Sequence, residues 1–230
     1  MVELISIHIP KTAGESFRVL LPPNYDTVHF DYGDNILDPK SPFRSDFNNW
    51  YAAQVERAGP LEQGTRAVHG HFWLGKYAGR FPGARKIMWL RDPAARLISH
   101  YFYWKSKPPD THSIWRKLLE EDLSLLEFAE LPELRNIVSD VYIRGFTHSD
   151  FDFIGIQDFY DSELNRVADL LKWKELTRDT INKTMNKDYE EFVPEPSLLS
   201  RIRELNQRDM DLYEIALKMR SQFKSVSYHT

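Results

Sequence analysis

Two histidines, His69 and His71, lie two residues apart in the segment AVHGHF. A histidine with an unperturbed pKa near 6.5 is mostly neutral at pH 7, so it can take the proton of a hydroxyl group. Residues two apart on a β-strand project to the same face, so we expect both rings to face one site unless the glycine between them turns the chain. Two alternatives remain open. One is a structural pair, and the other is a partial zinc site, for which the sequence offers no third-ligand motif.

The loop HIPKTAGESF follows the apolar run ELISIHI near the start of the chain. A strand that enters a helix through small residues leaves backbone N–H groups without partners, and these bind anions. Lys11 can reach a bound anion, and Thr12 and Ser16 add hydroxyl donors. Gly14 permits close approach of the backbone, and the carboxylate of Glu15 is expected to point away from a phosphate. The alternative is an ordinary turn with a surface lysine.

The segment RKIMWLRDPAARLISHY repeats the strand, turn and helix pattern. Asp92 suits the helix N-cap and Pro93 suits its first turn. Arg91 then lies at the sheet edge, where its guanidinium can form paired hydrogen bonds with a phosphate, and Ser99 follows on the helix. The alternative is an arginine that pairs with Asp92 while Ser99 is an ordinary residue of the helix surface.

The elements that must position these residues follow from the apolar pattern. Short runs rich in β-branched residues predict strands at 3–9, 27–32, 65–72, 85–90 and 151–156. Helical spacing predicts helices at 15–21, 45–58, from 93 onward, through most of 112–146, at 162–173 and at 196–223. Because strands alternate with helices, we predict an α/β fold: a three-layer parallel sheet with a P-loop-like phosphate-binding turn. The chain, 1–230, is predicted to be one domain.

The two phosphate-binding segments together resemble those of the sulfotransferases, which use 3'-phosphoadenosine 5'-phosphosulfate (PAPS). In that family a PKT-x-x-[ST]-[ST] loop holds the 5'-phosphosulfate, and an LRDP-x-x-R-x-x-S segment supplies an arginine and a serine for the 3'-phosphate. The HIPKTAG and HGH segments are similar to those of the branch with the heparan sulfate 2-O- and 6-O-sulfotransferases and their bacterial relatives. FIGIQD resembles the FIG-[IL]-x-E segment of that branch, with aspartate for glutamate. The resemblance runs from residue 4 to about residue 220.

The resemblance implies an enzyme that moves a sulfuryl group from PAPS to a hydroxyl, without a metal. His69 is then the expected base, His71 positions the acceptor or orients His69, and Lys11 neutralises the leaving phosphate. Which of the two histidines is the base stays open at this point. The late segment NKT is similar to a loop that closes over the nucleotide, and Glu15 stands where a serine or threonine is common. The implied cofactor-binding residues are Lys11, Thr12, Ala13, Gly14, Glu15, Ser16, Phe17, Arg91, Ser99, Lys183 and Thr184.

Composition limits the cellular location and the binding partners that we expect for this chain. The chain is 42% hydrophobic and has no cysteine, so disulfides and thiolate metal sites are excluded. A formal net charge of -4 argues against nucleic acid as a partner. No leader and no run of membrane-spanning length is found, so we expect a cytoplasmic protein. The expected acceptor is a hydroxyl of a saccharide or a glycolipid-like molecule.

Two other functions fit phosphate-binding loops. A kinase of small metabolites would use Lys11 and Arg91 on ATP, but it predicts a G-x-x-x-x-G-K-[ST] loop and a magnesium-binding aspartate after an apolar strand, and neither is found. A non-catalytic nucleotide-binding protein would keep the loops without a base in reach. Changing His69 to alanine would then alter nothing.

Overall fold

The computed structural model describes residues 1–33, 36–39, 55–56, 58–108, 112–176 and 187–226. Within them, five strands form one sheet in the order β2-β3-β1-β4-β5, and every neighbouring pair is parallel. The strands are β1 Leu4–Ile7, β2 Val28–Asp31, β3 Ala67–Gly70, β4 Arg85–Leu90 and β5 Phe153–Ile156. Because β1 is central, the turns that follow β3, β1 and β4 lie side by side at one edge of the sheet.

Helices follow the strands along the chain. They are α1 Gly14–Arg18, α2 Gly75–Ala78, α3 Pro93–Lys105, α4 Ser113–Glu120, α5 Leu125–Glu130, α6 Tyr160–Leu171, α7 Lys187–Glu191, α8 Pro196–Leu205 and α9 Gln207–Val226. The start of α3 is set by Asp92, whose carboxylate accepts the backbone N–H of Ala95 at 2.9 Å, and by proline at the first helical position. A π-helical turn, Val138–Tyr142, lies before β5.

Both faces of the sheet are covered, as the alternation of side chains along each strand requires. One face packs against α1 and α6 through buried residues such as Leu4, Phe17, Ala67, Ile87, Leu164 and Val167. The other face packs against the π-helical turn and α9 through Ile5, Val68, Met88, Val138, Ile154 and Leu212. This arrangement confirms the predicted three-layer α/β fold with a parallel sheet and a phosphate-loop-type turn after its central strand.

One predicted helix is wrong in its continuity. The pattern at 196–223 predicted a single helix, but the structure divides it into α8 and α9 at Asn206. The buried Asn206 side chain donates to the carbonyl of Ile202 at 2.8 Å and accepts the backbone N–H of Asn136 at 3.0 Å. This bonding ends the first helix and fastens it to a distant segment.

The predicted helix at 45–58 lies outside the described residues, apart from 55, 56 and 58. Among the helices that the structure describes, none is both long and apolar enough to cross a membrane.

Candidate active site

The loop after β1, the end of β3 and the end of β4 meet at the carboxyl edge of the sheet. Ile7 is in register with Gly70 on one side and with Met88 on the other. The backbone N–H of His8 donates to the carbonyl of Gly70 at 2.8 Å, which extends the pairing by one residue. Lys11, His71 and Arg91, predicted from separate motifs, therefore follow three adjacent strands. Parallel sheets bind ligands at this edge.

The loop after β1 has an unusual backbone. Lys11 and Ala13 have φ angles of 68° and 73°, in the left-handed region that non-glycine residues rarely adopt. Thr12 between them is only 1% exposed, and its hydroxyl donates to the carbonyl of Ile9 at 2.9 Å. Left-handed conformations of this kind cost about 1–2 kcal/mol per residue and cluster at ligand-binding and active sites. The loop is held in a shape that its own sequence does not prefer.

Lys11 lies among other cations. Burial, together with the charges of Arg91 and Lys107, lowers the pKa of its ammonium to about 8, while Glu15 opposes this shift. The Nζ atom lies 4.3 Å from the centroid of the Tyr103 ring. A desolvated lysine surrounded by positive groups is poised to bind an anion, because an anion relieves both penalties.

Gly14 and Phe17 have packing roles that the sequence analysis did not name. A Cβ added at Gly14 would lie 1.9 Å from Cδ2 of His8, so the missing side chain makes room for that imidazole. The Phe17 side chain is fully buried against Trp89 and Trp173, and its backbone N–H bonds to the carbonyl of Ala13. Both residues stabilise the shape of the loop through packing on its buried side. The cofactor contacts predicted for them stay predictions.

Glu15 and Ser16 lie in the first turn of α1. The Glu15 carboxylate is 48% exposed, 3.5 Å from Nη1 of Arg18 and 3.8 Å from Nδ1 of His8. It therefore lies near the partly exposed guanidinium of Arg18 and the buried imidazole of His8, and the expectation that it points away from a phosphate stays a prediction. Ser16 is partly exposed, and its predicted contact with a phosphate stays a prediction.

Three imidazole rings stand in a row at the ends of β1 and β3. The ring centroids of His69 and His8 are 5.3 Å apart, and those of His8 and His71 are 4.3 Å apart. His69 is 0% exposed, and its Nδ1 lies 2.9 Å from the hydroxyl of Ser6. His71, at the other end of the row, is partly exposed. The two histidines do not face one space equally, because only His71 reaches the outside.

The hydrogen bonding of His71 determines its tautomer. Nδ1 of His71 lies 2.5 Å from the backbone oxygen of His8. A carbonyl oxygen can only accept, so Nδ1 carries the proton and donates. In the neutral ring, the lone pair is then on Nε2, which is free to accept a proton.

The histidines of this row are neutral at pH 7. Burial, together with the neighbouring His71 and Arg18, lowers the pKa of His69 to about 3. The pKa of His71 is lowered to about 4, because burial outweighs the hydrogen bond to His8 and the charge of Asp31, which both raise it. The pKa of His8 lies well below its usual value for the same reason.

Arg91 is free of the aspartate that follows it. Asp92 caps α3 and accepts two hydrogen bonds from the Arg203 guanidinium, at 3.1 and 3.2 Å. Nη2 of Arg91 donates to the hydroxyl of Tyr189 at 2.6 Å, while its buried Nε has no partner among the described residues. Ser99 is buried two turns into α3. The alternative in which Arg91 is neutralised by Asp92 is therefore disfavoured.

Arg96 is a charged residue to which the sequence analysis gave no role. It is 1% exposed, and all three nitrogens of its guanidinium lack a hydrogen-bond partner within the described part of the chain. Burial lowers its pKa, while Asp209 and Tyr142 oppose this shift. Its spacing from Arg91 and Ser99 on α3 was the signal that could have pointed to it. A buried guanidinium that has no hydrogen-bond partner among the described residues, near Arg91, adds to the anion preference of this edge.

Other predicted features are placed as follows. Lys183 and Thr184 lie outside the described residues. Over the part of the chain that is described, no group of three or more His, Cys, Asp or Glu side chains is placed to hold a metal ion. The edge thus presents a neutral imidazole with an accepting nitrogen, an ammonium and a guanidinium. These are the groups needed to bind an anion and to deprotonate a hydroxyl beside it.

No family model matches the sequence, and no curated protein matches it. Among solved structures, the chain is similar to the mouse sulfotransferase SULT7A1 complexed with PAP, with 11% identity and a TM-score of 0.47, over 97% of this chain and 89% of that one. It is also similar to a sulfotransferase from Alicyclobacillus acidocaldarius, with 13% identity and a TM-score of 0.44, over 94% and 96% of the two chains. Neither protein is named as a heparan sulfate sulfotransferase, so that branch stays a prediction. Because both TM-scores lie below 0.5, the proposals below rest on the residues of this chain.

Proposed function

We propose that this chain is a PAPS-dependent sulfotransferase that moves a sulfuryl group to a hydroxyl of a carbohydrate-like acceptor. The observation that carries the proposal is the convergence of Lys11, His71 and Arg91 from three adjacent strands at one edge of the sheet. A donor with two separate anionic ends needs two cationic contacts. The hydroxyl of the acceptor molecule needs a base that lies near these cations and is open to solvent. The three strand ends supply these groups.

The residues present fit such a donor. The strained loop and Lys11 would hold the 5' end, and Arg91 and Ser99 would hold the 3'-phosphate, with Lys183 and Thr184 added by the resemblance. Within the described residues, the Nε of Arg91 and the buried guanidinium of Arg96 have no hydrogen-bond partner, which supports an anion at this place. When bound, PAPS supplies the sulfuryl group and a phosphate leaving group.

His71 is the general base in this proposal. His69 is a buried member of the same row of imidazole rings. The Nε2 lone pair of His71 and its partial exposure support the role, whereas His69 is fully buried. A base of pKa about 4 is weak. The negative charges of the donor raise that pKa toward the working pH, because they stabilise the imidazolium.

Lys11 neutralises the negative charge that develops on the leaving oxygen. Sulfuryl transfer resembles phosphoryl transfer in needing an in-line arrangement and charge stabilisation rather than covalent help from the protein. The neighbouring Arg91 and Lys107 make the site electropositive before any anion arrives. This preorganisation lowers the barrier because the charges need no rearrangement during the reaction.

A saccharide-like acceptor is supported by the surroundings of His71. The Tyr32 ring lies edge-on to the His71 ring, with centroids 4.9 Å apart, and is itself partly exposed. Aromatic rings with a polar tip suit sugars, which have apolar faces and hydroxyl rims. The cytoplasmic location stays a prediction.

A metabolite kinase is less well supported. The aspartates that end β2 and follow β4 are already engaged: Asp31 pairs with Lys76 at 2.7 Å and accepts the hydroxyl of Tyr77 at 2.7 Å, and Asp92 caps α3. Neither carboxylate is left for magnesium. A kinase would have to take its metal ligands from elsewhere in the chain.

The test is calorimetric titration with adenosine 3',5'-bisphosphate (PAP) and with ADP, both without magnesium. We expect PAP to bind at least tenfold more tightly than ADP, because only PAP carries a 3'-phosphate. Arg91→Gln should remove most of that difference. Arg85→Gln, at the opposite end of the same strand, should leave it unchanged. Equal or weaker binding of PAP by the wild-type protein would overturn the proposed function.

A further inference from the structure

We propose that Tyr103 is a positioning residue for Lys11: its ring face holds the ammonium at the place where the donor's 5' end binds. The inference rests on the proposed function and deepens it. Tyr103 lies near the end of α3, and its ring centroid is 4.3 Å from Nζ of Lys11. A cation over an aromatic face is attracted by the ring quadrupole, most strongly where water is partly excluded.

Lys11 needs such a partner because, among the described residues, Glu15 is the acid whose charge favours its ammonium, and it forms no ion pair with Lys11. No carboxylate among the described residues forms an ion pair with it, and the nearest acid in its sequence, Glu15, is close to Arg18 and His8 instead. Arg91 and Lys107 both repel its charge. A four-carbon side chain with no anchor would spread over many rotamers and would seldom lie at the reacting oxygen.

The same ring also contacts Lys107. Nζ of Lys107 lies 4.5 Å from the ring centroid and donates to the Tyr103 hydroxyl at 3.3 Å. The hydroxyl therefore serves Lys107, while Lys11 is held by the ring alone. Removing the hydroxyl and removing the ring are consequently separate experiments.

The position of Tyr103 on α3 explains why the ring is held in place. Ser99 and Tyr103 are four residues apart on this helix, so they share one face and are separated by about one turn, roughly 5.4 Å. One rigid helix would then fix both ends of the donor site, with Ser99 at the 3'-phosphate and the ring beneath the lysine of the 5' end. The indole of Trp115 lies 6.4 Å from the ring of Tyr103 and packs beside it.

The first test measures PAP affinity by calorimetry in wild type, Tyr103→Phe and Tyr103→Leu. We expect the phenylalanine variant to stay within twofold of wild type and the leucine variant to bind PAP about tenfold more weakly. In a Lys11→Met background, Tyr103→Leu should have no further effect. Adenosine 3'-monophosphate, which lacks the 5'-phosphate, should bind wild type, Tyr103→Phe and Tyr103→Leu with the same affinity. Equal losses in both Tyr103 variants, or a leucine effect that persists without Lys11, would overturn the assignment.

A second measurement needs no ligand. In protein labelled with carbon-13 lysine, the ε-methylene protons of Lys11 should be shifted upfield by the ring current, in wild type and Tyr103→Phe but not in Tyr103→Leu. Lys11→Met identifies the resonance. An unshifted Lys11 in the wild type would overturn the positioning role. If the shift is present but PAP does not bind, the proposed function fails while the contact between Tyr103 and Lys11 stands.

Discussion

At the scale of single residues, the tautomer of His71, the base that we propose, depends on a main-chain atom. Nδ1 of His71 donates to the carbonyl of His8, so the tautomer is fixed by backbone that no side-chain substitution removes. The ring of His8 then stacks beside His71 and separates it from His69. A substitution at position 8 is expected to change the packing of the base but not which of its nitrogens accepts the proton.

His71→Asn should lower the rate of PAP formation from PAPS, with any acceptor that supports turnover, by about 10²–10⁴. The affinity for PAP should change by less than about twofold, because the imidazole serves the acceptor and not the nucleotide. Asparagine keeps a donor near the Nδ1 position but has no nitrogen that can take a proton. Rate assays paired with PAP titration measure the two effects.

His69→Asn is the matched control for this experiment. Its side chain is fully buried beside Ser6, so we expect a loss of stability and a much smaller loss of rate than for His71→Asn. A variant at position 69 that abolished turnover while position 71 tolerated change would reverse the assignment of the two histidines.

At the scale of elements, the junction of α8 and α9 holds the π-helical turn Val138–Tyr142, which lies beside the candidate site. Asn206 accepts the N–H of Asn136, and the carboxylate of Asp209 accepts the N–H groups of Val138 and Ser139. These bonds hold the π-helical turn that ends at Tyr142, whose ring lies 6.5 Å from that of His71. The helices α8 and α9 thus set the position of the Tyr142 ring, which lies near His71, the base that we propose.

Asn206→Ala should destabilise the protein by about 1–3 kcal/mol, because it leaves the buried N–H of Asn136 and the carbonyl of Ile202 without these partners. Urea unfolding of the variant and of wild type measures the difference. Gln207→Ala, one residue further along and exposed, is the control and should change stability by less than about 0.5 kcal/mol. Equal effects at both positions would show that the side-chain bonds of Asn206 are unimportant.

At the scale of the whole molecule, the buried neutral histidines couple folding to pH. The pKa of His69 is about 3 in the folded protein and 6.5 when unperturbed, so between these values the unfolded chain binds a proton that the folded chain does not. Stability is therefore complete above about pH 6.5 and is lost as pH falls through this window. His8 and His71, with lowered pKa values, act in the same direction.

The wild-type protein should consequently lose at least about 2 kcal/mol of unfolding free energy between pH 7 and pH 5 from His69 alone. Denaturant titrations at the two pH values measure this loss. In His69→Asn the loss should be smaller by about that amount, since one of the titrating groups is gone. An identical pH dependence in both proteins would mean that His69 is not held neutral.

The strands, the parallel sheet and the strand-to-helix turns after β1 and β4 could be predicted because they depend on local patterns: apolar runs, Pro93 after Asp92, and small residues after β1. Anion binding at these two turns stays a prediction. The difference in exposure between His69 and His71 could not be predicted, because it depends on how far β3 extends before the chain turns at Gly70. Which of the two is the base stays a prediction. The break at Asn206 was equally invisible, since its partner Asn136 is 70 residues away. The contact between Lys11 and Tyr103 joins a loop to the far end of a helix, and no spacing in the sequence encodes it.

The fit of His8 over Gly14 also limits how this chain can diverge. A side chain at position 14 would collide with the imidazole of position 8, so the two substitutions are tolerated only in one order: His8 is replaced first, and Gly14 becomes free to change afterwards. The dependence is one-sided, because a glycine at position 14 accepts any neighbour. Descendants that keep the histidine must keep the glycine, whereas those that lose the histidine gain a second variable position in the anion loop.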